Sequence, residues 1–274
     1  MVILCVLSVS VCAAPASVEG FTIPVDVTIN DIFIKASSKP IIENNLIYMP
    51  LCSFADAISA EVIWDAEARA ATLSKYGMDF KFYADKNFCT FKEVDDPFGA
   101  AIMYGDTMFI PLDFVCYWLG YGFTWNSYYY IYEIIAPDIT VPETSVDSSY
   151  TKEDLYWLSK ITHVECGAES VRTRIGIANT VINRVRSPIY PNNIYDAILD
   201  VKHGVQYPPA HTAKFRNCIP SNTSMIAAKC ALNGVELVGT SVAFVHVNAF
   251  ARSWAANNMR HYTTIGVVGF FTFD

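Results

Sequence analysis

An α+β fold in two parts is predicted, a small duplicated α+β domain followed by an α-rich one. Three observations predict it. A strand–Pro–helix–strand pattern occurs twice in the first half, a Pro- and Ser-rich stretch interrupts the middle, and helical apolar periods begin near residue 151. The 274 residues, 53% hydrophobic and 17% charged, are ample for two cores and exclude a chain disordered throughout. Charge divides at the same place. Residues 1–149 hold 7 Lys and Arg against 19 Asp and Glu, and residues 150–274 hold 12 against 8. Halves of opposite sign point to two domains with different tasks. The basic half suits an anionic polymer, either nucleic acid or bacterial wall. It lacks basic clusters interleaved with aromatics, which argues against nucleic acid.

The chain opens on an apolar run, residues 2–11, followed by the small residues Ala13, Ala14, Ala16 and Ser17. This is the pattern of a secretory signal over residues 1–16, although no Lys or Arg precedes the run. The competing reading is a buried strand. A membrane-spanning helix needs about 20 apolar residues, so no integral membrane segment is expected after signal cleavage. Of eight cysteines two fall in the signal, and Cys218 with Cys230 is the candidate local disulfide among the rest. Cys52 and Cys116 lie on apolar stretches and are expected as buried thiols. No Cys-x-x-Cys occurs and no His stands at ligand spacing beside a Cys, so no metal site is expected.

The repeat comes next. Ile47-Tyr48-Met49-Pro50-Leu51, Phe54-Ala55 and Val62-Ile63-Trp64-Asp65 match Met108-Phe109-Ile110-Pro111-Leu112, Val115-Cys116 and Phe123-Thr124-Trp125-Asn126. Pro50 to Pro111 and Trp64 to Trp125 are both 61 residues apart. Each unit reads as strand, Pro, short helix, then a strand ending in Trp, with a further strand at residues 70–73 or 129–132. The pattern resembles the copper amine oxidase N-terminal-like (stalk) domain over roughly residues 25–135. Nothing in it supports copper chemistry: there is no His-x-His pair and no Asn-Tyr-(Asp/Glu)-Tyr from which a quinone cofactor is made. In secreted bacterial proteins such a module looks like a spacer or surface-binding element. Its Trp and Tyr residues read as core or half-core strand positions before they read as sugar-stacking platforms.

Residues 136–150 hold two prolines and, in their last seven positions, four Ser and Thr, without helical period. They read as an extended linker. From 151 to 274 lies the chemistry. Thr151 with Asp154 makes a capping-box-like start, and Leu155, Leu158, Ile161 and Val164 carry a helix to its stop near Gly167. Glu165 lies seven residues from Leu158 and four from Ile161, close to their apolar face. A carboxyl held there is harder to ionise, which suits a general acid near neutral pH. A second helix carries Ile175, Ala178, Val181, Ile182 and Val185 and ends in Asn183-Arg184-Val185-Arg186. The loop Ile189-Tyr190-Pro191-Asn192-Asn193, a short helix Ile194–Leu199 and then Gln206-Tyr207 follow.

That order resembles the SleB/CwlJ-type cell wall hydrolases, the spore cortex-lytic family. The family shows Glu-Ala-x-Gly-Glu, a helix ending Asn-Arg-Val, an aromatic-Pro loop and Gln-Phe. Here these become Glu165-Cys166-Gly167-Ala168-Glu169, with the Gly one place early, then Asn183-Arg184-Val185, Tyr190-Pro191-Asn192 and Gln206-Tyr207. Trp254, Ile265-Gly266 and Phe270-Phe271 resemble its closing motif, with Val268 where the family often has His.

The resemblance implies a lysozyme-like α-rich domain that cleaves the β-1,4 bond of peptidoglycan, in spore cortex during germination or in vegetative wall. It makes Glu165 the acid/base, as a lytic transglycosylase or as a glucosaminidase or muramidase, with no cofactor. With the signal it points to a secreted protein of a Gram-positive wall or spore envelope. Gln206 and Tyr207 are expected to line the sugar cleft. Tyr190, Glu169, His246 and Asn248 complete the candidate substrate set with Asn183, which either holds the Glu loop or caps its own helix. Asp196 and Asp200 read as helix-surface acids, and Arg184 and Arg186 as solvated or paired with the wall. Two other classes stay open: a wall-binding protein without activity, and a cysteine amidase using Cys166 and His163.

Overall fold

The computed structural model describes residues 17–203, 205 and 207–273. The signal-like residues 1–16 and the candidate sugar-binding Gln206 lie outside the described residues. Chain contacts define two compact units, one built from residues 24–148 and one from residues 17–23 with 149–274.

In the first unit both repeats form as the pattern predicts, except that the strand expected at residues 129–132 begins only at Ile131, after a turn over residues 127–130. Leu46–Pro50 runs into helix α1 (Leu51–Ala57) and then strands Glu61–Asp65 and Ala70–Lys75. Thr107–Pro111 runs into α2 (Leu112–Leu119) and then Gly122–Asn126 and Ile131–Ile135. Each Pro ends a strand and opens a helix, where its missing N–H costs nothing. The two Pro strands pair antiparallel at the centre of a four-stranded sheet, with Met49 opposite Ile110, Pro50 opposite Phe109 and Tyr48 opposite Pro111. Met49 and Ile110 are themselves equivalent positions, 61 residues apart. A local two-fold axis therefore passes through that pair, and each repeat covers the other's open strand edge. Beyond it the halves diverge. Ala70–Lys75 continues into a five-stranded antiparallel meander, whereas Ile131–Ile135 pairs in parallel with Asp26–Ile29. One core of Val27, Ile29, Met49, Phe54, Phe80, Ile110 and Val115 lies beneath.

Three expectations change in this unit. Trp64 is 52% exposed, although its equivalent Trp125 packs against the core. The Trp125 ring meets Tyr130 edge-on at 5.9 Å, and the corresponding position of the first repeat is Arg69. Cys52 is exposed, because α1 turns Leu51, Ser53, Phe54, Ala55 and Ala57 inward and leaves position 52 outside. Residues 136–148 are packed rather than free-standing. Ala136, Ile139 and Val141 join the core, Asn30 Nδ2 donates to the carbonyls of Ala136 (2.7 Å) and Ile139 (3.1 Å), and Val146 bridges to Ile34.

The second unit is α-rich. Helices α3 (Lys152–Cys166), α4 (Val171–Arg186) and α7 (Asn222–Leu232) pack on one another, flanked by α5 (Ile194–Leu199), α6 (Ala213–Asn217) and α8 (Trp254–Asn258). Thr151 and Asp154 form a full capping box on α3. Three antiparallel strands, Ala243–His246, Val268–Thr272 and Arg260–Ile265, close the unit in that order. Gly176 of α4 lets this sheet approach: a Cβ there would stand 2.7 Å from Phe270 Cζ. The predicted apolar stripe of α4 understates its burial. α4 is the central helix, and its polar residues Thr173, Arg174, Asn179, Thr180 and Arg184 are buried as well. The short hairpin of Ser17–Val18 with Phe21–Thr22 brings Glu19 to the start of α4, where Oε2 accepts from the Arg172 N–H at 3.3 Å. No described helix is long and apolar enough to cross a membrane.

Candidate active site

Glu165 stands in the last turn of α3, which stops at Gly167 with φ 54°, a conformation an L side chain resists. The early Gly of the acidic motif thus serves as the helix end. Arg174, buried in α4, holds that end in place. Its Nη2 donates to the Gly167 carbonyl at 2.6 Å and its Nε to the Glu169 carbonyl at 3.1 Å, while Nη1 reaches Ser224 Oγ of α7 at 2.8 Å. The sequence reading gave Arg174 no role, because a charged residue in the first turns of a helix reads as surface.

The Glu165 side chain is half-buried, and its Oε1 is covered by protein with no hydrogen-bond partner. Burial pushes its pKa up to about 7, against a downward pull from Arg184. Among the described residues no carboxylate contributes to that rise. Arg184 is 2% exposed, and its Nε and Nη1 are also covered and without partners. Its guanidinium carbon lies 4.5 Å from the centre of the Tyr207 ring and 5.5 Å from that of Tyr190, so the cation is held between two aromatic faces. The solvated or wall-paired Arg184 of the sequence reading is therefore corrected to a buried one. The Asn-Arg-Val motif was the available signal, but α4's central position was not.

Of the candidate residues, Glu165, Tyr190 and Tyr207 gather around Arg184. Tyr207 is fully buried, its ring tilted against Phe244 at 6.1 Å, so it supports the site from beneath and does not line an open cleft. Tyr190 is half-buried, with His203 edge-on at 5.8 Å. Asp200, expected on a helix surface, is buried and holds His203 Nδ1 at 2.7 Å. Asn183 neither caps its helix nor holds the Glu loop. Its Nδ2 donates to the carbonyls of Gly239 (2.7 Å) and Ser241 (2.9 Å), fixing the approach to the sheet. Glu169 is half-buried at the Gly266 turn, where a Cβ on Gly266 would lie 3.3 Å from its Oε2. His246, the exposed last residue of strand Ala243–His246, accepts at Nδ1 from the N–H of the exposed Asn248 at 3.3 Å.

Cys166 does not make a nucleophile. Its thiol is buried with Ile177, Val238, Ile265 and Phe270, and burial pushes its pKa up to about 12. His163 is engaged elsewhere, its Nδ1 accepting from the Ser221 N–H at 3.3 Å. The cysteine amidase reading loses its dyad. Nor do Cys218 and Cys230 pair, since all six described cysteines are free. Titration of the native protein with a thiol reagent at pH 7.5 is expected to label Cys52 first and Cys218 slowly. Cys89, Cys116, Cys166 and Cys230 are expected to react only on unfolding. Fast labelling of Cys166 in the folded protein would contradict this burial.

A carboxyl whose pKa burial raises to about 7, near the buried Arg184 cation, can give up a proton close to neutral pH. Residues 168–271 match the family described as Cell Wall Hydrolase, and residues 28–134 that described as Copper amine oxidase N-terminal domain. The chain joins these two domains, and its second half is that of a peptidoglycan hydrolase, an enzyme. The matched span begins at residue 168, after Glu165. Among solved structures, the catalytic domain of the germination-specific lytic transglycosylase SleB from Bacillus anthracis aligns at 20% identity and TM-score 0.41, over 46% of this chain and 100% of that one. The catalytic domain of the Bacillus cereus SleB protein aligns at 20% identity and TM-score 0.40, over 45% of this chain and 92% of that one. No curated protein matches the chain.

Proposed function

We propose that this chain is a secreted lytic transglycosylase of peptidoglycan, acting in the cell wall or spore cortex of a Gram-positive bacterium, with Glu165 as its general acid and then its base. In this reading residues 1–16 are the export signal, residues 25–135 a wall-facing spacer and residues 151–274 the catalytic domain. One observation carries the choice of chemistry. Glu165 owes its raised pKa to burial alone, with no carboxylate among the described residues acting on it. A retaining glycosidase commonly sets two carboxyls roughly 5–5.5 Å apart, close enough for each to act on the other's titration. A single acid suffices when the nucleophile belongs to the substrate. Protonated Glu165 gives its proton to the glycosidic oxygen as the bond from C1 to that oxygen breaks. The carboxylate then takes the proton of the muramic C6 hydroxyl, whose oxygen bonds to C1 and closes a 1,6-anhydro ring. No water is consumed and Glu165 ends protonated, as it began. Such an intramolecular nucleophile has a high effective molarity. Tyr190, Glu169, His246, Asn248 and Gln206 are the proposed contacts to the glycan.

Digestion of purified cortex and of vegetative sacculi in ¹⁸O-water, followed by mass spectrometry, tests this. Anhydro-muramic ends without ¹⁸O are expected. Reducing ends carrying ¹⁸O would replace the transglycosylase by a hydrolase and require a second carboxylate. Free stem peptides would restore an amidase. Release from neither wall would leave a binding protein.

A further inference from the structure

Two covered groups in this site lack what the other offers. Arg184 Nε and Nη1 are donors without acceptors, and Glu165 Oε1 is an acceptor without a donor. A guanidinium at 2% exposure with two idle N–H groups is costly unless another state of the molecule uses them. Its place is fixed by the rings of Tyr190 and Tyr207, at 5.5 and 4.5 Å. We propose that Arg184 is a positioning residue, the fixed counter-charge to which the Glu165 carboxylate turns once its proton has left. This rests on the acid/base role proposed for Glu165.

The titratable groups around Glu165 come from three elements. Arg184 of α4 acts on it, and it acts in turn on Tyr207 of the following loop and on Cys166 of its own helix. Arg184 also acts on Tyr190, whose hydroxyl feels Asp200 as well. Burial pushes the Tyr190, Tyr207 and Cys166 groups upward, so all three stay neutral through the range in which Glu165 titrates. Arg184 is the one group among these that carries a charge throughout the titration of Glu165. With the proton on, Glu165 needs no partner and remains available to a leaving oxygen. With the proton off, the anion is compensated without water, and the carboxylate is held until it recovers a proton. The paired rings keep the cation from following the carboxylate outward, so the attraction acts on Glu165.

The test is a titration that does not depend on turnover. ¹³C NMR of δ-labelled glutamate, with Glu165→Gln assigning the signal, reads the Glu165 midpoint. ¹⁵N side-chain spectra of arginine read Arg184. In the native protein the Arg184 Nε signal is expected to shift with the Glu165 midpoint, and to become independent of pH between 5 and 9 in Glu165→Gln. In Arg184→Met the Glu165 midpoint, and with it the alkaline limb of kcat/KM on sacculi, should rise by about 1 pH unit or more. Arg184→Lys should return both most of the way. An Arg184 signal blind to Glu165, or a folded Arg184→Met protein with an unmoved Glu165 midpoint, would overturn the proposal. The native spectra decide the matter even if Arg184→Met does not fold. Loss of turnover in Glu165→Gln bears on the reaction and leaves this coupling to stand or fall by itself.

Discussion

Glu165→Gln is expected to cut glycan cleavage by about 10²–10⁴ in turnover, the scale for removing a general acid/base, and to leave the protein folded. Gln keeps the shape and neutrality of the protonated carboxyl, and Oε1 has no partner to lose. The same variant has a signature in stability. The folded-state pKa is raised from the ordinary 4.5 to about 7. Between those values the unfolded chain has lost a proton that the folded chain still binds, so the native protein loses stability as pH rises through that window. Gln does not titrate. The two proteins should be equally stable below pH 4.5, and the variant more stable by roughly 1–3 kcal/mol at pH 8. Denaturation at both pH values checks this. A variant that stays active, or a stability difference that does not depend on pH, would remove Glu165 from the role given to it. In the native enzyme kcat/KM should fall above pH about 7 as the acid ionises.

Arg174→Ala is expected to be the most damaging single change to the second unit. Arg174 is 6% exposed and serves the carbonyls of Gly167 and Glu169 together with Ser224 Oγ. Its cation also sits at the C-terminal end of α3, where the helix dipole favours it. Hydrogen bonds to a charged donor contribute about 1.5–3 kcal/mol each. A loss of about 3–5 kcal/mol follows, or a fall of roughly 10–15 °C in the Tm of that unit. Arg174→Lys should recover little, because one ammonium cannot span the three acceptors. Activity should fall with it below the unfolding range, since the freed turn carries Glu165. An Arg174→Ala protein with native Tm would show that the α3 end is held by its capping alone.

Much of the architecture was legible before any coordinates. The repeat stood at a constant offset, its elements fell where Pro and Trp marked them, and Thr151 with Asp154 announced α3. Glu165 was singled out by the resemblance of Glu165-Cys166-Gly167-Ala168-Glu169 to the family's acidic motif, and its distance from Leu158 and Ile161 set it near an apolar face. Local pattern failed where burial depends on distant chain. Cys52 and Trp64 read as inside and lie outside. Residues 136–148 read as a connector and are packed, because Ile139 and Val141 found a core that no local period records. α4 read as amphipathic and is buried nearly all round, because the sheet and α7 close on the side that carries its polar residues.

The sequence by itself determined the two-part α+β organisation, the duplication and the place of an acid at the end of α3. These depend on spacing along one segment, which the chain carries locally. Only the tertiary structure decided the surroundings of that acid. Arg184 lies 19 positions from Glu165 and Tyr207 a further 23 beyond it, so their convergence is a property of how α3, α4 and the loop after α5 pack. Whether an arginine is solvated or buried, and whether a carboxyl is ionised or neutral at pH 7, follows from how much water and charge the fold leaves beside it. No spacing along the chain encodes that quantity.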